Sequence, residues 1–301
     1  MDRLESMSTL LTAVETGSLS AASRRLGMPL ATVSRKVSEL EAHLRTRLLV
    51  RTSRKLSLTD AGRAYVTACR RILEDLGEAE RAAAGEYSAP RGELQITAPV
   101  VFGRLHVLPV VTAFLAAFPE ISIRLVLADR MVNLQEEHAD LAVRIGALAD
   151  SALVATRVGS IRRVTCASPA YLAAHGTPSH PDDLAAHSCV TFETLMSPTT
   201  WTYIEGRETR PVAVRSRLVV STAEAAIDAA VSGIGITRVL SYQVAAAVAA
   251  GALAVLLAPY EPQRSPVSLV TNGQGMLPQK LRAFLDFATP LLRSRLERAE
   301  L

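Results

Sequence analysis

The chain has 301 residues, about twice a common domain length, so two or three folding units can each bury a core. With 49% hydrophobic and 21% charged residues and a net charge of +4, the composition excludes disordered, collagen-like and disulfide-stapled classes. Cys69, Cys166 and Cys189 form neither an even framework nor a C-x-x-C pair, and Met1-Asp2-Arg3-Leu4-Glu5 lacks the basic-then-apolar run of a signal peptide. A cytoplasmic location is therefore expected.

Leu4, Met7, Leu10, Leu11 and Val14 recur every three or four residues, which predicts an amphipathic helix that ends near Gly17, with Asp2-x-x-Glu5 as a capping box. Ser18 opens a short second helix through Leu19, Ala22 and Leu26, stopped by Gly27. After the Gly27-Met28-Pro29 turn, Val33, Val37, Leu40 and Leu44 mark the buried face of a third helix. At 100° per residue, Ala31, Arg35, Ser38 and Ala42 fall opposite, with Thr32 and Ser34 on the flanks. A small, basic outward face suits a helix that enters a groove about 12 Å wide.

Leu56 and Leu58 then alternate with polar residues after Leu48-Leu49-Val50, predicting a hairpin with Arg51, Arg54 and Lys55 at its tip. Between Arg24 and Lys55 nine basic residues face two acidic ones, whereas Glu74, Asp75, Glu78, Glu80 and Glu86 dominate the following segment. Such asymmetry is the electrostatic footprint of a polyanion partner. The elements together read as a winged helix-turn-helix.

The stretch from Gly17-Ser18-Leu19-Ser20-Ala21-Ala22 through Val33-Ser34-Arg35-Lys36-Val37, Leu40-Glu41-Ala42-His43-Leu44, Arg51-Thr52-Ser53-Arg54 and Leu58-Thr59-Asp60-Ala61-Gly62 resembles the LysR-type transcriptional regulators. That resemblance implies base-edge contacts from Leu30, Ala31, Thr32, Ser34 and Arg35. It implies phosphate or minor-groove contact from Arg54, with Arg51 and Lys55 beside it, and Ser18, Ser20 and Lys36 complete the candidate DNA-binding set. Arg45 departs from the family pattern, in which a Gly usually ends the helix; Arg45 must adopt a left-handed cap or extend the helix. Leu30 and Ala31 also stand where the family more often has polar residues or Pro.

From Ala61, the residues Tyr65, Ala68, Ile72, Leu76, Ala79 and Ala83 form an apolar helical seam, read as a dimerisation helix running to residue 89. Beyond Gly92, alternating strands and helices appear: Leu94/Ile96, the helix Leu105 to Phe118, Ile121/Ile123/Leu125/Leu127, Leu141-Ile145, Val164-Ala167, Leu218-Val220, Ala223-Ser232, Ile234-Ile236 and Val267-Thr271. This predicts an α/β unit with mostly parallel sheets. Gly159 to Arg163 and Pro262 to Pro266 read as crossovers between two lobes. The expected division is a DNA-binding domain at 1–60, a linker helix at 61–89 and an effector domain at 90–301, with lobe I at 92–161 and 268–301 and lobe II at 162–267.

Thr97-Ala98-Pro99-Val100-Val101-Phe102-Gly103, Asp140 to Gly146 and Ala167 to Leu172 resemble the periplasmic-binding-protein-like effector domain of one large branch of the same family. Ligands of open α/β sheets bind beyond the carboxyl ends of strands, so the loops after Ile96, Ile145 and Val220 are the ones to examine. Ser221-Thr222-Ala223-Glu224 reads as a capping box, and Thr97 as a similar helix start on the other lobe. The expected contacts for a small, anionic organic effector are Thr97, Pro99, Phe102, Arg144, Gly146, Ser221, Thr222 and Arg238. The expected assembly is a homodimer or homotetramer on double-stranded promoter DNA.

Other chemistry is set aside. His175, His180, His187 and Cys189 match no tight zinc spacing, so neither metal nor cofactor is expected. The uncharged run Val239 to Tyr260 reads as a buried helix, a Gly stop and a strand rather than a membrane span. No phosphate loop or nucleophile elbow argues for an enzyme. The rivals are a redox-sensing regulator acting through Cys166 and Cys189 and an architectural DNA-binding protein.

Overall fold

A computed structural model describes the chain except residues 1, 52–55, 84–88, 131–133, 135–138, 149–152, 193–198, 274–276 and 299–301. It forms two compact units, residues 1–89 and 90–301.

In the first unit, α1 (Arg3–Thr16), α2 (Leu19–Leu26) and α3 (Leu30–Leu44) precede a two-stranded wing, β1 (Leu49–Arg51) with β2 (Leu56–Leu58), and then α4 (Asp60–Ala83). Asp2 caps α1 by accepting from the Leu4 and Glu5 amides at 3.0 and 3.2 Å. Only half of the expected capping box forms, because the Glu5 carboxylate instead pairs with Lys36. Leu10, Val37, Leu40, Leu48, Val66 and Cys69 make one core cluster, while Ala13, Ala22 and Val33 seal the contact of α1, α2 and α3. The wing is aligned on this core by Glu41, whose carboxylate accepts from the amides of Leu48 and Leu49. At the entry to α4, the Thr59 hydroxyl accepts from Gly62 N and donates to Arg47 O. A Cβ on Gly62 would lie 2.0 Å from Leu48 O, so only glycine lets α4 pass this close to β1.

Arg45 adopts the left-handed cap, at φ 51° and ψ 31°. Its amide reaches Ala42 O and the Thr46 amide reaches Glu41 O, so the last carbonyls of α3 are satisfied despite the side chain.

The second unit holds two five-stranded sheets. The first runs β4 (Ile121–Leu127), β3 (Gly92–Ala98), β5 (Leu141–Ile145), β14 (Ser265–Asn272) and β6 (Leu153–Ile161). The second runs β11 (Ser216–Val220), β8 (Cys189–Phe192), β12 (Ile236–Leu240), β7 (Arg163–Ala167) and β13 (Ala254–Leu256). The expectation of mostly parallel sheets is corrected. β3 is parallel to β4 and β5, and β8 to β11 and β12, but β14 lies antiparallel to both β5 and β6, and β7 antiparallel to both β12 and β13. The chain leaves the first sheet through β6 and re-enters it through β14; both cross between lobes, and such crossing strands oppose their neighbours.

The helix expected at Leu105 to Phe118 begins earlier: α5 (Val100–Phe102) passes through a π-turn (Gly103–Val107) into α6 (Leu108–Ala117). This stretch is long and apolar enough to cross a bilayer, yet Val101, Phe102, Val107, Val110, Val111 and Phe114 are buried in the lobe core with Phe284 and Leu292 of α10 (Gln279–Arg298). The second sheet packs one face on α8 (Ala223–Val231) and α9 (Ser241–Ala249), and the other on the hairpin β9 (Thr200–Glu205) and β10 (Glu208–Ala213). The strand expected at Ile234-Ile236 starts only at Ile236. Gly235 turns against the backbone of Ser188, whose carbonyl oxygen would lie 2.3 Å from an added Cβ. The run Val239 to Tyr260 divides into the end of β12, α9, β13 and a short 3₁₀ turn.

Replacing Arg45 by glycine removes the left-handed strain without touching a hydrogen bond, so Arg45→Gly should stabilise the chain by about 0.5–1 kcal/mol. Urea denaturation followed by circular dichroism checks this; an unchanged or lower midpoint at equal m contradicts it.

Candidate DNA interface and effector site

Burial of Val33, Val37 and Leu40 turns Leu30, Ala31, Arg35 and Ser38 of α3 outward, with Thr32 and Ser34 half-buried on the flanks. Arg35 is exposed and paired with Glu39 one turn on, at 2.7 Å. Ser18 uses its hydroxyl to cap α2 at Ala21 N, and Ser20 is exposed. The expected role of Lys36 is corrected: its side chain is only 14% exposed and its ammonium is held by Glu5 of α1, so it braces the helix pair. Arg51 closes β1, while Arg54 and Lys55 lie outside the described residues.

On α4 the expected seam is split between two faces. Tyr65 packs with Val66, Cys69 and Leu73 on the unit's own core, whereas Ile72 and Ala79 are exposed and Leu76 is half-buried.

In the second unit, Thr97 lies on β3 rather than at a helix start. It is 1% exposed and its hydroxyl has no partner. Pro99 precedes α5, whose Val100 amide is already taken by the Asp129 carboxylate at 2.9 Å. The expected free helix start is therefore occupied by a negative charge. Phe102 is fully buried between His106 and Tyr242, at 4.8 and 5.5 Å between ring centroids, so it is a core residue and not an effector contact. Arg144 stands half-buried on β5 opposite Ser268, and Gly146 turns the chain off β5 at φ 112°. In the second lobe the helix cap is Thr222, which accepts from Ala225 N at 3.2 Å, in place of the expected Ser221–Glu224 box; Ser221 and Thr222 are exposed.

Arg238, an expected effector contact, is buried inside β12. Its guanidinium donates to Thr202 O and stacks 4.6 Å over the Tyr203 ring, while Nε and Nη1 have no partner. Burial depresses its pKa to about 10. Arg163, two residues from Thr165 on the adjacent β7, shares this environment, and burial lowers its pKa as well.

Tyr242, which sequence reasoning passed over as one residue in a buried helix, is where the lobes converge. Its ring packs edge-on against Phe102 and His106 of the first lobe. Burial raises the pKa of its hydroxyl; Asp129 from the first lobe and Glu224 from α8 push the same way, while Arg163 opposes them. One phenol of α9 thus lies at the contact between the lobes.

Comparison with known proteins places both units. Residues 4–63 match the helix-turn-helix model of bacterial regulatory proteins of the lysR family, and residues 88–293 match the LysR substrate binding domain. The chain is a LysR-type transcriptional regulator. A regulator from Xanthomonas campestris is 37% identical over 91% of this chain and 81% of its own. CrgA of Neisseria meningitidis is 34% identical over 97% and 98%, and its solved structure aligns with TM-score 0.61 over 96% and 98% of the two chains. The Vibrio cholerae virulence activator AphB aligns with TM-score 0.60 at 28% identity, over 95% and 98%.

The regulator is a DNA-binding protein and not an enzyme. Among the described residues no group of His, Cys, Asp and Glu is placed to hold a metal ion. The geometry opposes the redox reading: Cys166 packs with α8 and α9, whereas Cys189 packs with the β9–β10 hairpin on the opposite face of the sheet. Burial pushes both thiols up to about 12, far from the thiolate that oxidation requires.

Lys36→Ala should destabilise the regulator by about 1 kcal/mol and leave sequence-specific DNA affinity nearly intact once the protein is folded. Arg35→Ala should do the reverse. Paired denaturation and DNA titrations at fixed salt separate the two, and a specific-binding loss with Lys36→Ala contradicts the bracing role.

His106 is 7% exposed with neither ring nitrogen partnered, and burial holds its pKa near 4 against an ordinary 6.5, with Arg295 adding to the effect. The unfolded chain therefore takes up a proton between pH 6.5 and 4 that the folded chain refuses. Stability from this group is complete above pH 6.5 and declines on acidification by about 1.4 kcal/mol per pH unit through that window. His106→Leu should flatten this slope in denaturation curves taken from pH 7 to 4; parallel slopes reject the assignment.

Proposed function

We propose that the regulator binds promoter DNA as a homodimer or homotetramer and is controlled in the cytoplasm by a small organic effector carrying an anionic group. The proposed division is a DNA-binding domain at 1–60, a linker helix at 61–89 and an effector domain at 90–301, with lobe I at 92–161 and 268–301 and lobe II at 162–267. Base contacts come from Leu30, Ala31, Thr32, Ser34 and Arg35, and phosphate contacts from Ser18, Ser20, Arg51, Arg54 and Lys55. The exposed Ile72 and Ala79 of α4 support helix pairing between chains.

One observation carries the effector reading: Arg163 is held by backbone pairing with Leu240, two residues before Tyr242, while its guanidinium has no hydrogen bond or ion pair among the described residues, and Tyr242 packs on Phe102 and His106 of the other lobe. The proposed contacts Thr97, Pro99, Arg144, Gly146, Ser221 and Thr222 lie at or just beyond the carboxyl ends of β3, β5 and β11, where ligands of open α/β sheets bind. Because carboxylates occupy or flank both helix starts, the arginines rather than free amides attract the anion. Asp129 and Glu224 favour hydroxyl or amino groups elsewhere on the same molecule.

Thermal-shift screening of small carboxylates against their matched amides tests this. Stabilising carboxylates should lose about tenfold or more in affinity with Arg163→Ala, as expected when a charged hydrogen bond is removed. Amides that stabilise equally, or an unchanged affinity in Arg163→Ala, overturn the anionic reading.

A further inference from the structure

We infer that the start of α3 reads DNA through the 5-methyl groups of thymine, with Leu30 as the reading side chain and Ala31 beside it. The inference rests on α3 being the base-reading helix and adds the chemistry that its first turn recognises.

Leu30 is 46% exposed, although the folded unit buries Val33, Val37 and Leu40 of the same helix completely. It stands between exposed Pro29 and exposed Ala31, and Pro29 supplies no side-chain cap. Three consecutive surface residues at the leading end of the helix thus carry no side-chain donor or acceptor. They sit in the most basic part of the chain, among Arg24, Arg25, Arg35, Arg45 and Arg47, all exposed. These cations draw the unit onto phosphates without regard to sequence.

In the major groove each base pair presents hydrogen-bonding atoms, and thymine alone adds an apolar group, its C5 methyl. A leucine pressed on cytosine N4, adenine N6 or guanine O6 strips water from a polar atom and returns nothing. Pressed on the thymine methyl, it removes apolar surface of both partners from water. Ala31 leaves room for this approach, where a longer side chain would hold the helix off the base edges. Four residues beyond Ala31, about 6 Å along the axis, Arg35 offers the bidentate donors suited to guanine once it releases Glu39. The recognition face therefore divides into an apolar leading turn and a hydrogen-bonding second turn.

The test uses the full chain and a duplex selected by it from a randomised pool. Each thymine is replaced singly by uracil, which removes only the methyl group. At one or two positions per half-site this should weaken binding about three- to tenfold at fixed salt. With Leu30→Ala the penalty at those positions should fall below about twofold, while Leu30→Met, which keeps apolar reach, should retain it. The inference is overturned if no uracil costs affinity, or if Leu30→Ala still distinguishes thymine from uracil. Arg35→Ala on the same panel identifies which premise failed. If it relaxes the choice of a guanine while uracil is silent, α3 reads bases but not methyl groups. If neither change matters, α3 is not the base-reading helix and both readings fall.

Discussion

Burial of one face of α3 is the constraint on which the DNA-binding unit depends. Val33 packs with Ala13 and Ala22, and Val37 and Leu40 pack with Leu10, Leu48 and Val66, so α1, α2, the wing and α4 all converge on that face. Each fully buried Val or Leu contributes about 1.5–3 kcal/mol, far more than any surface ion pair in the unit. Rotation of α3 about its axis is thereby excluded, and the residues left outward are decided by subtraction. Polar links then add alignment: Lys36 to Glu5 locks α3 against α1, and Glu41 fixes the wing through two backbone amides.

The effector unit follows a different logic. Each of its two sheets has five strands, and the chain passes between them at β6–β7 and at β13–β14. Connections so few leave the relative position of the lobes to be set by side chains. The Phe102, His106 and Tyr242 rings form that contact, made where a π-turn bulges the helix of the first lobe. A histidine kept neutral there costs less than a charged one in an apolar setting, which explains its tolerance beside two aromatic rings.

Charge is placed for two purposes. On the DNA-binding unit Arg24, Arg25, Arg35, Arg45 and Arg47 are exposed, as a partner with its own charges requires, whereas Lys36 is held by Glu5. In the effector unit burial lowers the pKa of both Arg163 and Arg238, with Glu261 opposing the shift at Arg238, while Asp129 and Glu224 act on the nearby Tyr242. Cations held away from water in this way cost the fold stability.

The helix-turn-helix was legible in the sequence because its signals are local: the four- and three-residue spacing of Val33, Val37 and Leu40, Ser18 as a cap, and Gly17 and Gly27 as stops; the structure then decided for Arg45 between a left-handed cap and a longer helix. Strand–helix alternation likewise showed an α/β remainder with two lobes. Tertiary structure alone decided what depends on partners distant in sequence. Lys36 looks like a DNA contact until Glu5, thirty-one residues away, is seen to hold it. Thr97 looks like a helix start until Asp129 is seen to occupy the amide beyond it. Strand direction, the opposite faces of Cys166 and Cys189, the burial of Phe102 and the place of Tyr242 follow from sheet order and lobe contact, which no periodicity within a segment encodes. Periodicity reports which face of an element is buried; only the fold determines what buries it.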